Sequence, residues 1–375
     1  MTNALITARV RGLLDDARAV ALPFVLSRLL IAVGFIVAYG ISQHLVPEAQ
    51  PVTLTEGLVA WDGTWYRDIA QYGYRASAIE GLRFFPLFPL LGKAFSVVTL
   101  GRIDLALVLI ANCAAFFLAI AIRRLVLFER GSKALADRAV WFLCLFPGAF
   151  VLAWAYAESL WLFGIVVVFW AIRSRRWEWA IVAGIAVGLA RPLGIVVALP
   201  VAIELFRVWR NAHRKERLLG VAAVAAPLAG TAVYLGWVRS VFGDGLLPYT
   251  VQNGLRGDST NPIVRIWDGM SQMFGTERLG DGLHIPFAIA FVVLLVLSFR
   301  YWPVSYGLFA AIVLAAALGA QNLNSLERYG LNAFPIVLTL AVVAHKEKVE
   351  KVVLLVLAGG VVALSAMAWA GAYVP

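Results

Sequence analysis

An all-α polytopic integral membrane protein is the fold class that three observations predict. The chain of 375 residues is 62% hydrophobic and only 14% charged, whereas a soluble domain is roughly 45–50% apolar. Its apolar residues gather in runs of 13 to 21, and its lysines and arginines cluster between those runs. At about 20 residues per crossing, almost no length is left for a soluble domain. That excludes a cytosolic enzyme, a secreted disulfide scaffold and, despite the net charge of +10, a nucleic-acid binder. Cys113 and Cys144 lie inside apolar runs and the four histidines are scattered, so neither a disulfide framework nor a zinc-ligand spacing can be read.

The elements follow in order. Ala21–Ile41 is too long for a signal-peptide core and lacks a cleavage site, so it reads as an uncleaved first span. Arg9, Arg11 and Arg18 before it place the N-terminus in the cytoplasm. Further spans are expected at 104–122, 139–154, 158–172, 178–190, 192–206, 218–238, 284–299, 302–319, 330–344 and 352–372, about eleven crossings in one transmembrane domain over 1–375, with the C-terminus extracytoplasmic. The basic clusters at 123–138, 173–176, 207–217 and 346–351 then all face inward, provided that Phe84–Leu100 does not cross. Pro86 and Pro89 within it argue against a plain spanning helix. Twenty of the lysines and arginines and nine of the acids fall inside, against eleven and thirteen outside. Arg28, inside the first span, is expected to snorkel inward.

Two pairs of crossings, 139–154 with 158–172 and 178–190 with 192–206, have arms of only about 20–24 Å at 1.5 Å per residue. Their tips, Tyr156-Ala157-Glu158 and Arg191-Pro192, should therefore line a cavity below the outer surface. The large extramembrane segments, 46–103 and 239–283, are both outer loops. No inner loop exceeds about 16 residues, and none carries a Gly-rich phosphate loop, GxGxxG or DxD, so a nucleotide sugar has no place to bind.

The first outer loop carries Trp61-Asp62-Gly63-Thr64-Trp65-Tyr66-Arg67-Asp68-Ile69-Ala70-Gln71-Tyr72-Gly73-Tyr74. Helical spacing puts Trp61, Trp65, Ile69 and Tyr72 on one face, the pattern of an amphipathic helix in the membrane interface. At its start, Asp62 reads from spacing alone as a helix-capping carboxylate, and Asp68 as a solvated-face residue. The following Arg83-Phe84-Phe85-Pro86-Leu87-Phe88-Pro89-Leu90-Leu91 reads from spacing alone as a broken, lipid-facing hairpin with one interfacial arginine.

These two stretches resemble the PIG-V family, the GPI mannosyltransferase II family and its actinobacterial relatives. So do Leu145-Phe146-Pro147-Gly148-Ala149-Phe150 leading to Tyr156-Ala157-Glu158-Ser159-Leu160, Ala190-Arg191-Pro192-Leu193-Gly194, and Glu327-Arg328-Tyr329 leading to Ala333-Phe334-Pro335. Together they run in the family's order from about residue 27 to 340. The resemblance implies a GT-C type glycosyltransferase that takes mannose from polyprenyl-phosphate mannose, with an essential acid in the first outer loop; that position is Asp62, the expected catalytic base. An α-linkage follows from inversion of a β-linked donor, and eukaryotic members form α-1,6. A phosphate leaving group needs no general acid but does need cations, for which Arg328 and Arg191 are the candidates. Trp61, Trp65, Tyr66, Arg83, Tyr156, Glu158 and Tyr329 are expected to bind substrate, Glu158 either as an acceptor-hydroxyl ligand or as a helix-start charge. No metal ligand set is legible, although a divalent metal assisting Asp62 stays open. The partners are the lipid donor, a glycan or glycolipid acceptor and the bilayer, with no nucleic acid, and the Ala/Val/Arg/Leu-rich composition suggests a bacterial plasma membrane with an extracytoplasmic site. A polytopic lipid or solute transporter is the rival reading; it calls for ionisable groups near the midplane, whereas here most lie toward the outer ends.

Overall fold

The computed structural model describes residues 2–45, 50–256, 261–273, 280–320 and 322–375, with the backbone alone for 2–11, 255 and 256. Parts of both outer loops, and the side chains of Arg9 and Arg11, lie outside the described residues. The described chain is helical throughout: α1 (Thr2–Leu45), α2 (Val52–Glu56), α3 (Asp62–Tyr72), α4 (Leu87–Phe95), α5 (Ile103–Arg130), α6 (Lys133–Leu145), α7 (Glu158–Arg173), α8 (Trp177–Ala190), α9 (Ala198–Val208), α10 (Arg214–Phe242), α11 (Leu247–Arg256), α12 (Pro262–Gln272), α13 (Asp281–Tyr301), α14 (Val304–Leu318), α15 (Leu326–Asn332), α16 (Phe334–Val343) and α17 (Glu347–Trp369). This is a multi-pass membrane protein.

Each of the eleven expected spans coincides with helix, but the lengths differ. Among the described residues six helical stretches are apolar and long enough to cross a membrane; the pair α15–α16, bent by 80°, has the geometry of a broken span or a re-entrant loop. The expected span 139–154 stops at Leu145, because Pro147 cannot continue the helix; a 3-10 turn at Pro147–Leu152 follows, buried throughout. Helices α7 and α8 have 16 and 14 residues, as short as the sequence requires.

Local chemistry explains the boundaries. Gly131 ends α5 in the left-handed region at φ 65°, and the Ser132 hydroxyl caps α6 by accepting the Leu135 N–H. Helices α8 and α10 meet backbone to backbone, since any side chain at Gly188 or Gly230 would run into the carbonyls of Pro227 and Ile185. Phe169, Tyr306 and Phe334 meet edge-on at ring-centroid separations of 4.7 to 5.9 Å and join α7, α14 and α16.

Charges segregate to the ends of this bundle. At one end Arg123 pairs with Asp16 and, at 2.7 Å, with Asp137; Arg173 bridges Glu129 at 2.6 Å and Glu204 at 3.0 Å; Arg138 meets Glu350 at 2.8 Å. Arg207 joins Glu204 at 2.9 Å and Glu216 lies 3.7 Å from Arg175, so all four basic clusters share one end. Helix α4 stays at the other, nine residues long and so only about 14 Å, with Gly92 against Leu107 in the first turns of α5 and Phe88 against Tyr66 of α3 at 5.0 Å. The helix within Phe84–Leu100 is too short to cross a membrane by itself.

Candidate active site

At that second end, α2, α3, α11 and the segments after α8 and before α15 enclose a cavity of about 640 Å³. Asp62 is the first residue of α3, and Trp61 before it has φ 60°, a strained conformation for a non-glycine residue. The Trp61 indole N–H, donated to the Ala368 carbonyl at 3.0 Å, anchors that turn on the last turn of α17. Strain here sets the direction in which α3 starts, and hence where the Asp62 carboxylate lies. No side chain caps this helix, so Asp62 is free of the capping role and points elsewhere.

Its partners are arginines. Asp62 Oδ2 accepts from Arg328 at 2.8 Å, and Arg83 stands 3.8 Å from Oδ1. Arg328 also reaches Glu158 at 3.4 Å, and Glu158 pairs with Arg191. Five charged groups thus form one chain across four segments distant in sequence. Each guanidinium rests on a ring: Arg83 on Phe84 at 4.6 Å, Arg191 on Trp161 at 5.5 Å, Arg328 on Tyr156 at 5.8 Å. The Nε–H groups of Arg83 and Arg328 are buried and lack a hydrogen-bond partner among the described residues, two donors left available to an anion.

Eight of the ten residues singled out from sequence line the cavity: Trp61, Asp62, Trp65, Tyr66, Arg83, Arg191, Arg328 and Tyr329. Tyr156 and Glu158 lie beneath its floor, 0% and 1% exposed. The Asp62 backbone N–H donates to the Tyr156 hydroxyl at 3.3 Å, and Glu158, the first residue of α7, holds two arginines rather than facing the cavity. Phe84, Phe85 and Phe88 are buried rather than lipid-facing: Phe84 stacks on Trp65 at 5.7 Å and Phe85 meets Tyr234 at 4.6 Å, which seats Arg83 in the site. The buried face of α3 is Gly63, Tyr66, Ile69 and Ala70; of the expected stripe only Ile69 belongs to it, because α4 and α5 cover the helix there. Burial pushes the Tyr66 phenol well above its ordinary range, so it stays a hydrogen-bond donor. Asp68 pairs with Arg67 at 2.9 Å, half exposed.

Thr53, Glu56, Tyr249, Gln252, Asn322, Asn324 and Ser325 also line the cavity. They carry no signal in the sequence, being ordinary polar residues of loops and short helices. Among the described residues no three of His, Cys, Asp and Glu gather as a metal site. The Asp62 carboxylate faces guanidinium groups rather than further acids, so the side chains present do not by themselves fit a divalent cation.

No curated protein matches the chain. Solved structures that resemble it include the archaeal oligosaccharyltransferase AglB from Archaeoglobus fulgidus in complex with an inhibitory peptide and a dolichol-phosphate, at 11% identity and TM-score 0.47. Another is the Archaeoglobus fulgidus oligosaccharyltransferase tethered to an acceptor peptide containing the NVT sequon, at 11% identity and TM-score 0.42. Each alignment covers 93% of this chain and 56% of the other, so the chain spans little more than half the length of these structures. The family model of the Mannosyltransferase (PIG-V) family matches residues 38–229, which take in Asp62, Arg83, Glu158 and Arg191. About half of the chain answers to that one family, and the chain belongs to it: it is a member of the PIG-V mannosyltransferases.

Proposed function

We propose that the protein transfers mannose from polyprenyl-phosphate mannose to a hydroxyl of a glycan or glycolipid, with inversion to an α-linkage, on the extracytoplasmic face. All eleven apolar segments cross the membrane in this reading, with the N-terminus cytoplasmic and the C-terminus extracytoplasmic. The observation that supports it best is the Asp62 carboxylate held by Arg328 and near Arg83, with Arg191 lining the same cavity. Arg83, Arg191 and Arg328 stand together at the Asp62 end of the cavity, where their guanidinium groups suit the charge of a phosphodiester.

The donor phosphate competes with Asp62 for Arg328 and takes up the unpartnered Nε–H groups of Arg83 and Arg328. Loss of that guanidinium frees Asp62 to accept a proton. The acceptor oxygen attacks the mannosyl C1 from the side opposite the phosphate: the new C1–O bond forms, the C1–O(phosphate) bond breaks, and the hydroxyl proton passes to Asp62. Polyprenyl phosphate leaves with a second negative charge, which the arginines stabilise in place as it develops. Arg328 therefore masks the base until the donor arrives, which keeps water from being activated in an empty site.

The test is transfer by the purified protein from preformed polyprenyl-phosphate mannose and, separately, from GDP-mannose. Transfer is expected from the lipid donor alone, and Asp62→Asn should lower it by about 10²–10⁴ with the protein still folded and able to bind the lipid donor. Transfer from GDP-mannose without a lipid intermediate, or near-normal activity of Asp62→Asn, overturns the reading.

A further inference from the structure

The cavity has two walls of opposite chemistry. One is formed by Pro192, Leu193 and Ile195, directly after Arg191, and by Tyr249 of α11; the Tyr249 hydroxyl, donated to the Pro192 carbonyl at 3.3 Å, joins its two pieces. This wall is apolar and continues outward, with Ile195 38% and Leu199 41% exposed on the flank of the bundle. The other wall holds Thr53 and Glu56 of α2 and Asn322, Asn324 and Ser325 of the turn before α15. Both of its pieces are tied to the chain's last described turn: Thr53 Oγ1 donates to the Trp369 carbonyl at 2.5 Å, and Ser325 Oγ to the Val374 carbonyl at 3.3 Å.

The residues of this second wall include no Lys or Arg, and Arg328 reaches it at Ser325, donating from Nη2 to Oγ at 3.5 Å. Glu56 makes no ion pair within 4.0 Å among the described residues, unlike Asp62 and Glu158; Arg67 acts on it from farther off and the Trp61 backbone N–H hydrogen-bonds to it, which leaves further acceptor positions of the carboxylate for a ligand. Partial burial raises its carboxyl above the ordinary value, as expected for a carboxylate part-way into a cavity. A carboxylate beside amides and hydroxyls suits the vicinal hydroxyls of a sugar, each a donor and an acceptor, and repels a phosphate. The apolar wall suits a hydrocarbon chain and offers a sugar almost nothing. Arg191 opens the apolar wall, and Arg328 follows Ser325 by three residues, so the phosphate site lies between the two walls.

We propose that the walls are two subsites: the donor's polyprenyl chain leaves the cavity over Leu193 and Ile195, and a neutral sugar of the acceptor is held by Glu56 and Asn322. This rests on the mannosyl-transfer reading above. It gives the reaction its geometry, since donor lipid and acceptor enter from opposite sides of Asp62, as in-line displacement at C1 demands. It also assigns the acceptor a class, an uncharged hydroxyl-rich glycan rather than an anionic headgroup.

The experiment measures initial rates of the purified protein with polyprenyl-phosphate mannose of long chain and of two isoprene units, against a panel of alkyl glycosides. Long-chain polyprenyl phosphate binding is followed in parallel by thermal shift. Glu56→Gln and Asn322→Ala should raise the acceptor KM about tenfold and leave the donor KM within about twofold. Ile195→Trp, apolar and so compatible with membrane insertion, should raise the KM of the long-chain donor about tenfold while sparing the two-isoprene donor and the acceptor. The crossed pattern, with Glu56→Gln acting on the donor or Ile195→Trp on the acceptor, overturns the two-wall assignment and leaves mannosyl transfer standing. A wild-type protein that binds polyprenyl phosphate but transfers to none of the glycosides overturns the neutral-sugar class. Absence of both binding and transfer refutes the underlying reading as well.

Discussion

Arg328 is shared between Asp62 at 2.8 Å and Glu158 at 3.4 Å, and a planar fork can serve both acids and a phosphate in turn where a point charge cannot. Arg328→Lys should therefore weaken donor use more than a charge count suggests. Arg328→Ala should lose about 1.5–3 kcal/mol of charge-assisted hydrogen bonding, a rise of about 10- to 150-fold in donor KM with the acceptor KM little changed. Initial rates at varied donor concentration decide this, and an unaltered donor KM removes Arg328 from the phosphate site. At this scale the sequence shows the charged residues but not their pairing. Asp62, Arg191 and Arg328 are legible as charges at the ends of apolar segments and as parts of family-like motifs. That Glu158 would be spent on two arginines is not legible, because 33 residues separate it from Arg191 and 170 from Arg328, and only the fold closes those distances. Glu56 and Asn322 are missed for a simpler reason: single polar residues in a short helix and a turn have no period or spacing to betray them.

Between residue and fold, the irregular segment from Phe146 to Ala157 decides the site's geometry. Non-helical backbone inside a membrane bundle must find partners for its polar groups, and here side chains from two long helices supply them. Arg28 donates to the Leu152 carbonyl at 3.2 Å and to Asn112 at 3.0 Å, and Asn112 donates to the Ala153 carbonyl at 2.9 Å. Arg28 thus points into the bundle instead of snorkelling to the surface, since an acceptor-rich turn inside offers it more than the distant interface does. The Ala155 N–H reaches the Leu58 carbonyl at 2.8 Å, so the same segment fixes the approach to Asp62 on one side and, through Gly148, the backbone of Glu327 and Arg328 on the other. A Cβ at Gly148 would lie 2.7 Å from the Glu327 carbonyl oxygen and 2.9 Å from the Arg328 nitrogen, backbone atoms that cannot turn aside. Gly148→Ala is expected to destabilise by about 1–3 kcal/mol and to lower kcat further than a stability-matched substitution elsewhere in the bundle, by moving Arg328. Equal kcat in the two at matched stability uncouples this segment from the site. Short arms and a cavity between them are legible from span lengths; the clamp is not, because a lone arginine in an apolar run looks alike whether it points in or out.

For the whole molecule, the positive-inside rule and the site location constrain each other. The ion pairs of Arg123, Arg138 and Arg173 collect at one end, while the Asp62 cavity lies at the end that α4 occupies. The parity inferred from the sequence rested on one segment, Phe84–Leu100, and its nine-residue helix packed on α5 keeps the basic clusters together. Which end faces the cytoplasm follows only from charge, so it needs its own measurement. Ala76 and Ala134 are exposed at opposite ends, outside the catalytic cavity and away from capping positions, which makes them better probes than the buried Gly63 or the left-handed Gly131. With Cys113 and Cys144 replaced by alanine, Ala76→Cys should react with an impermeant thiol reagent in intact cells, and Ala134→Cys only after permeabilisation. Labelling of Ala134→Cys alone in intact cells would invert the protein and put Asp62 on the side where nucleotide sugars are made, removing the reason to require a lipid-linked donor. Labelling of both from outside would mean that an even number of crossings separates the two sites, so that Phe84–Leu100 crosses along with α5, contradicting the single location of the basic clusters.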